Sequence, residues 1–421
     1  MNCRFCATPL GQVFLDLGAA PPSNSFLSAK DLNGPEVYYP LKLFVCPDCR
    51  LVQVDEYKRS TEIFSSGYVY FSSYSSTWLA HAKVYVDAIL PRLGLGPQSL
   101  VMEIASNDGY LLQYVRERGV PALGVEPSGS TAAAARAKGI ETVEDFFGVR
   151  LATQLAAQGR QADLIIGNNV LAHVPDLNDF VAGLTRALKP ANPANPANPA
   201  NPAGGLITME FPHLYRLVES AQFDTVYHEH FSYLSLATVR RIFAAHGLTV
   251  FDAEELPTHG GSLRIHARHK ADPLAAETKR LRDLLALETA AGMQTDGYYA
   301  GLQVRAERIK AELLGFLAEQ KLAGRTVAAY GAAAKGNTLL NYCGVKPDQI
   351  AFVCDASPHK QGLFLPGSRI PVLHPDALRQ RKPDFVLVLP WNIKDEIMSQ
   401  LDYIRSWDGR FVIPIPSPEV L

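Results

Sequence analysis

With 421 residues, 40 basic and 42 acidic side chains and 19% charged positions, the chain carries a formal charge of −2 and no basic block that could track a phosphate backbone. Nucleic acid is therefore not an expected partner. A length beyond one typical core predicts two or three domains, and the lack of an apolar leader or of an apolar run of about 18 residues predicts a cytoplasmic protein outside the membrane, expected as a monomer.

Residues 1–65 read as a small zinc-binding domain, loop-rich to about residue 55 and in need of a staple. Cys3-x-x-Cys6 and Cys46-x-x-Cys49 supply four thiolates, the number and softness that tetrahedral zinc prefers. Redox thiols or two disulfides are the competing readings; a cytoplasmic chain favours zinc, and four protein ligands make the metal structural. Cys343 and Cys354 read as small buried hydrophobes.

Residues 66–275 alternate apolar runs, 100-LVMEIA-105, 122-ALGVEP-127, 163-DLIIGNNV-170 and 205-GLITMEF-211, with helical stretches such as 110-YLLQYVRERG-119. That alternation predicts α/β architecture with a parallel sheet. In 101-VMEIASNDGYLLQ-113 a strand carrying Glu103 runs into a turn of Ala105, Ser106, Asn107, Asp108 and Gly109 and then a helix. The pattern matches the adenosyl-binding turn of class I (Rossmann-like) methyltransferases, where small residues let the backbone pass close to the ligand. Ala105 is expected to keep a negative φ there. Glu126, ending the next strand, can accept ribose hydroxyls, and Asn168 and Asn169 end the following one near the reactive sulfonium. Together they point to S-adenosylmethionine; the missing Gly-x-Gly-x-x-Gly counts against NAD.

Four copies of Ala-Asn-Pro at 191–202 predict an exposed extended loop. In 225-TVYHEHFSYLS-235, two histidines suggest a metal, but residue 232 is serine and the HExxH spacing is absent. What remains is a Tyr, Glu and His cluster able to supply a base. A helix at 236–247, paired edge strands at 248–257 and 261–269, and one or two long helices within 274–322 follow. Residues 276–421 read as this helical bridge plus a second Rossmann-like domain. There Gly331, Lys335 and Gly336 lie between strand and helix, where a diphosphate can be received, and Asp355 ends the next strand facing a ribose or nucleobase.

The tandem CxxC pairs, 102-MEIASNDGYLLQ-113, 227-YHEHFSYLS-235, 258-THGGSLR-264 and 330-YGAAAKGNTLLNYCG-344, in this order, resemble the sugar C-methyltransferases. These act on nucleotide-linked 4-keto-deoxysugars in making branched sugars such as mycarose and tetronitrose. The resemblance implies a zinc domain, an S-adenosylmethionine domain and a C-terminal domain closing over the sugar nucleotide. It also implies proton removal at C3 and methylation of the resulting enolate. Carried over by position, His230 is the general base, with Glu229 and Tyr227 beside it, His173 near the ketone and Tyr70 reaching in from the segment joining the first two domains. His228 receives no role beyond a solvated or hydrogen-bonded neighbour. A small-molecule O- or N-methyltransferase and a non-catalytic zinc-knob interaction protein are the alternatives.

Overall fold

The computed structural model describes residues 1–59, 71–191 and 204–421. Tyr70 and nearly all of the Ala-Asn-Pro copies lie outside the described residues. Among the described helices none is long and apolar enough to cross a membrane.

The N-terminal region is less loop-rich than its composition suggests. Strands β1 (Gln12–Ala20), β2 (Tyr39–Val45) and β3 (Val52–Val54) form an antiparallel sheet. In 39-YPLKLFV-45 the period-two burial of Leu41, Leu43 and Val45 overrides Pro40 and Lys42, which fall on the other face.

The central domain follows with β4 (Val101–Ile104), β5 (Ala122–Val125), β6 (Glu141–Val143), β7 (Leu164–Asn168) and β8 (Leu206–Pro212). Next come the short β9 (Ser232–Tyr233) and the hairpin β10 (Leu248–Leu256) and β11 (Ser262–His269). Their sheet has the order β10-β11-β8-β7-β4-β5-β6, with β11 antiparallel to both neighbours, as the alternating run 261–269 predicts. The order reverses between β4 and β7, so the crevice at their carboxyl ends is where an α/β sheet takes its ligand. β9 does not join this sheet. It pairs with β3 through Val52–Tyr233 and Gln53–Ser232, making the end of the 225–235 stretch an edge strand of the N-terminal sheet.

Two helices, Lys279–Ala290 and Leu302–Leu322, bridge to the C-terminal domain. Its strands β12 (Val327–Tyr330), β13 (Val353–Cys354), β14 (Val372–Leu373), β15 (Phe385–Val388), β16 (Arg410–Ile413) and β17 (Glu419–Val420) take the order β14-β13-β12-β15-β16-β17. The switch point here lies between β12 and β15. One apolar core joins Phe14, Leu15 and Leu43 to Phe223 and Phe231, to Leu313 and Leu317 of the bridge, and to Leu339 and Leu340 of the C-terminal domain. The 225–235 stretch is thus seated at the seam of all three domains. The helix after it, Leu236–Ala245, is held by buried Glu288 of the bridge, whose carboxylate accepts the amides of Leu236 at 2.6 Å and Ala237 at 2.9 Å.

Candidate active site

The four cysteine sulfurs lie within 4.8 Å of one another, with Cys3–Cys49 and Cys6–Cys46 each at 3.5 Å. Zinc–sulfur bonds of about 2.3 Å put tetrahedral sulfurs about 3.8 Å apart, so the donor set fits a structural zinc. Arg4, inside the first pair, donates to the carbonyls of Val54 at 2.5 Å and Pro175 at 2.9 Å and lies over the Phe231 ring. The metal knuckle therefore buttresses both the 225–235 stretch and the segment after His173.

At the end of β4 the expectation for Ala105 is corrected: its φ is +57°, and Asn107 at +50° and Gly109 at +75° share the left-handed region. The reversal has to bring the Ser106 amide onto the Val125 carbonyl at 3.2 Å, so the turn takes this conformation at a cost that alanine accepts. Glycine is favoured at 109 because its φ of +75° is left-handed and a Cβ there would stand 2.3 Å from the Ile140 side chain. Glu126 accepts the amides of Asn107 and Ser128, both at 2.9 Å, and keeps further lone pairs for a ribose. One oxygen of Asp108 and the amide oxygen of Asn169 lack a hydrogen-bonding partner, and fully buried Glu103 lies beside the Tyr110 hydroxyl. Burial holds the Glu103 carboxyl well above the usual range, with the Tyr110 hydroxyl easing the charge. Asn168 donates to that hydroxyl at 3.2 Å, and Trp78 stacks on the Tyr110 ring. Such orphaned acceptors around a left-handed turn at the switch point fit an adenosyl ligand with a cationic sulfur.

Beside this crevice the Tyr227 hydroxyl stands 2.8 Å from His230 Nε2, and the Thr225 carbonyl 3.0 Å from Nδ1. A carbonyl only accepts, so Nδ1 carries the proton and Nε2 presents its lone pair. His173 lies edge-on, 4.6 Å between ring centres, and donates from Nδ1 to the Glu229 carbonyl at 2.7 Å. Burial first, and then the neighbouring His173, keep His230 well below the ordinary imidazole range; burial pushes His173 down to about 4. Both rings are neutral at physiological pH. The Glu229 carboxyl is raised by burial, takes Asn24 Nδ2 at 3.3 Å on one oxygen and has no partner on the other. His228 faces away, donating to the Pro40 carbonyl at 3.2 Å between Tyr39 and Tyr57, so it is a hydrogen-bonded neighbour.

The C-terminal domain closes the pocket from its own switch point. Lys335 Nζ lies 2.6 Å from Asn392 Oδ1 and over the Trp391 ring, and Trp391 Nε1 donates to Asp224 at 2.7 Å. Gly331, with φ +89°, touches Pro390, where a Cβ would approach to 2.3 Å. Asp355 spends one oxygen on the Ala332 amide at 2.7 Å and the other on Ser357 at 2.8 Å, fixing that turn.

Three protein families match the chain: "Putative zinc binding domain" over residues 3–64, "Methyltransferase domain" over 78–253 and "C-methyltransferase C-terminal domain" over 257–416. C-methyltransferase NovU of Streptomyces niveus is 33% identical over 425 residues, covering 100% of this chain and 96% of that protein. The chain belongs to the C-methyltransferase family. Among solved structures, a protein of Pyrococcus horikoshii OT3 covers 51% of this chain and 100% of its own at 16% identity, with a TM-score of 0.37. A methyltransferase of Thermotoga maritima covers 50% and 100% at 18% identity, with a TM-score of 0.35. Neither overlap bears on function at such scores.

Residues that spacing did not single out also border this site. Asn24 reaches Glu229 from the loop after 18-GAAPP-22. His259, itself at φ +54°, bonds Asn169 at 2.9 Å and meets Trp78 edge-on. The 258-THGGSLR-264 motif could have flagged His259; Asp224, Trp391 and Asn392 stand in no motif.

Proposed function

We propose that this C-methyltransferase moves the methyl group of S-adenosylmethionine to C3 of a nucleotide-linked 4-keto-deoxysugar through an enolate, in the making of branched deoxysugars. The observation that carries this reading is the His230 ring, whose Nδ1–H donation to the Thr225 carbonyl leaves Nε2 as the lone-pair nitrogen, facing the Tyr227 hydroxyl. Attack on a sulfonium methyl by oxygen or nitrogen has less need of a carbon-deprotonating base; a ketone's neighbouring carbon has to be enolised first.

In this scheme the Tyr227 hydroxyl releases Nε2 as the sugar enters, and His230 takes the C3 proton. Glu229, raised by burial and steadied by Asn24, lies next to the proton acceptor, and His173 offers its ring beside the ketone. Tyr70 is assigned to the same pocket by the resemblance alone. Glu103, Ala105, Asn107, Asp108, Gly109, Glu126, Asn168 and Asn169 would hold the methyl donor, which supplies an already activated leaving group. Gly331 and Asp355 shape the crevice assigned to the nucleotide.

The test is a panel of nucleotide 4-keto-sugars incubated with methyl-labelled S-adenosylmethionine, with the label located by NMR. A methyl carbon bonded to C3 is expected. Label on oxygen or nitrogen, or no acceptor among 4-keto-sugars, sinks the reading.

A further inference from the structure

The C-terminal domain brings Lys335 toward the pocket, and its surroundings differ from a phosphate cradle. Lys335 sits in the first turn of the helix Ala334–Cys343, at the carboxyl end of β12. Its ammonium is aimed by Asn392 at 2.6 Å and rests 4.8 Å from the centre of the Trp391 ring. Trp391 in turn touches both walls of the pocket. Its indole nitrogen binds Asp224, the neighbour of Thr225 that orients His230, while its far edge lies 2.6 Å from where a Gly260 Cβ would stand, next to His259. Burial above all holds the imidazoles of His230 and His259 down, and the Lys335 charge adds to it at both. His173, Tyr227, His230, His259, Lys335 and Trp391 all keep partial exposure while the residues around them are largely buried, the pattern an accessible pocket leaves.

A diphosphate needs several converging donors. Here the turn amide of Ala332, which could have been one, is spent on Asp355, and Lys360 at the same turn is spent on the Ala332 carbonyl and Asp355. The recessed Lys335 ammonium, its pKa lowered by burial and its charge steadied by the Asp224 carboxylate, suits a single developing charge instead.

We propose that Lys335 donates a hydrogen bond to the substrate's carbonyl oxygen and stabilises the enolate that His230 generates, in place of the diphosphate contact its strand-to-helix position suggests. This rests on the enolate reading above. His230 Nε2 accepts the C3 proton. The C–H pair becomes the C3–C4 π bond, and the carbonyl π pair moves onto the oxygen, where Lys335 donates while keeping its proton. On methylation the π pair forms the new C–C bond, the oxygen lone pair restores the carbonyl, and the methyl–sulfur pair stays with sulfur. Asn392 is a positioning residue, acting through the ammonium it aims.

The experiment follows loss of the C3 proton by NMR in deuterated water, at saturating nucleotide 4-keto-sugar with S-adenosylhomocysteine in place of the donor. Wild type exchanges. Lys335→Met is expected to exchange about 10²-fold more slowly, with part of the rate returned by Lys335→Arg, while calorimetric affinity for the matching nucleoside diphosphate stays within about threefold. Near-wild-type exchange in Lys335→Met overturns the proposal, as does a tenfold weaker nucleoside diphosphate affinity. If Lys335→Met fails to fold, Asn392→Ala decides: about tenfold slower exchange supports the assignment and an unchanged rate overturns it. A wild type that exchanges no 4-keto-sugar brings down the enolate reading itself, and the lysine assignment with it, an outcome separate from failure of the lysine alone.

Discussion

The Tyr227 hydroxyl donates to His230 Nε2 across 2.8 Å, so one phenol guards the lone pair that the Thr225 carbonyl has oriented from the other side of the ring. The carbonyl does for this imidazole what a buried carboxylate does elsewhere: it selects the tautomer without adding a full negative charge.

His230→Gln should lower methyl transfer by about 10²- to 10⁴-fold with calorimetric S-adenosylmethionine affinity unchanged. Tyr227→Phe has a subtler signature. A hydrogen bond donated to the lone pair favours the neutral ring, so its loss raises the His230 pKa and moves the acid limb of kcat/KM to higher pH. A limb that stays put or moves down would show that the phenol does not serve the base.

His173 links stability to pH. Burial holds its folded-state pKa at about 4 against an ordinary 6.5, so between those values the unfolded chain binds more protons and stability rises with pH. The contribution is fully present above about pH 6.5 and is lost as pH falls through the folded value. Urea midpoints at pH 7 and pH 5 should therefore differ less in His173→Gln than in wild type. Equal differences in both proteins would count against it.

The adenosyl turn makes opposite predictions for two neighbouring positions. Gly109→Ala places a Cβ against Ile140 in a left-handed conformation and should cost about 2–5 kcal/mol, from overpacking and backbone strain together, with loss of S-adenosylmethionine binding. Ala105→Gly removes left-handed strain and should gain about 0.5 to 1 kcal/mol after the extra entropy of the unfolded glycine is counted. Thermal unfolding with and without ligand measures both.

Metal analysis should find one zinc per chain and none in Cys46→Ser. Because Arg4 props Phe231 and the Pro175 carbonyl, Arg4→Ala should keep the zinc yet lose up to about 10²-fold in turnover, the cost of a group displaced by about 1 Å. Full activity in a metal-free preparation would detach the knuckle from catalysis.

Much of the site is local, and so legible in one dimension. Two CxxC turns state their ligand set in four residues each. Tyr227, Glu229 and His230 share one turn, and the 101–113 stretch carries both its strand and its helix. The N-terminal strands were harder to read, since Pro40 and Lys42 interrupt the alternation on the exposed side. Ala105 misled for a similar reason: its sign of φ depends on the Ser106–Val125 hydrogen bond between two strands.

Residue type at short spacing is enough to mark the four thiolates, a strand-turn-helix of small residues and a Tyr, Glu and His cluster. Which of these groups face one another is a matter of tertiary packing. β9 leaves its domain to finish the zinc-bearing sheet, Asn24 meets Glu229, and Lys335 and Trp391 reach the pocket from a domain more than a hundred residues away in the chain. Those encounters follow from burying Phe223, Phe231 and Leu339 in one shared core, and packing between distant segments leaves no periodic trace in the sequence.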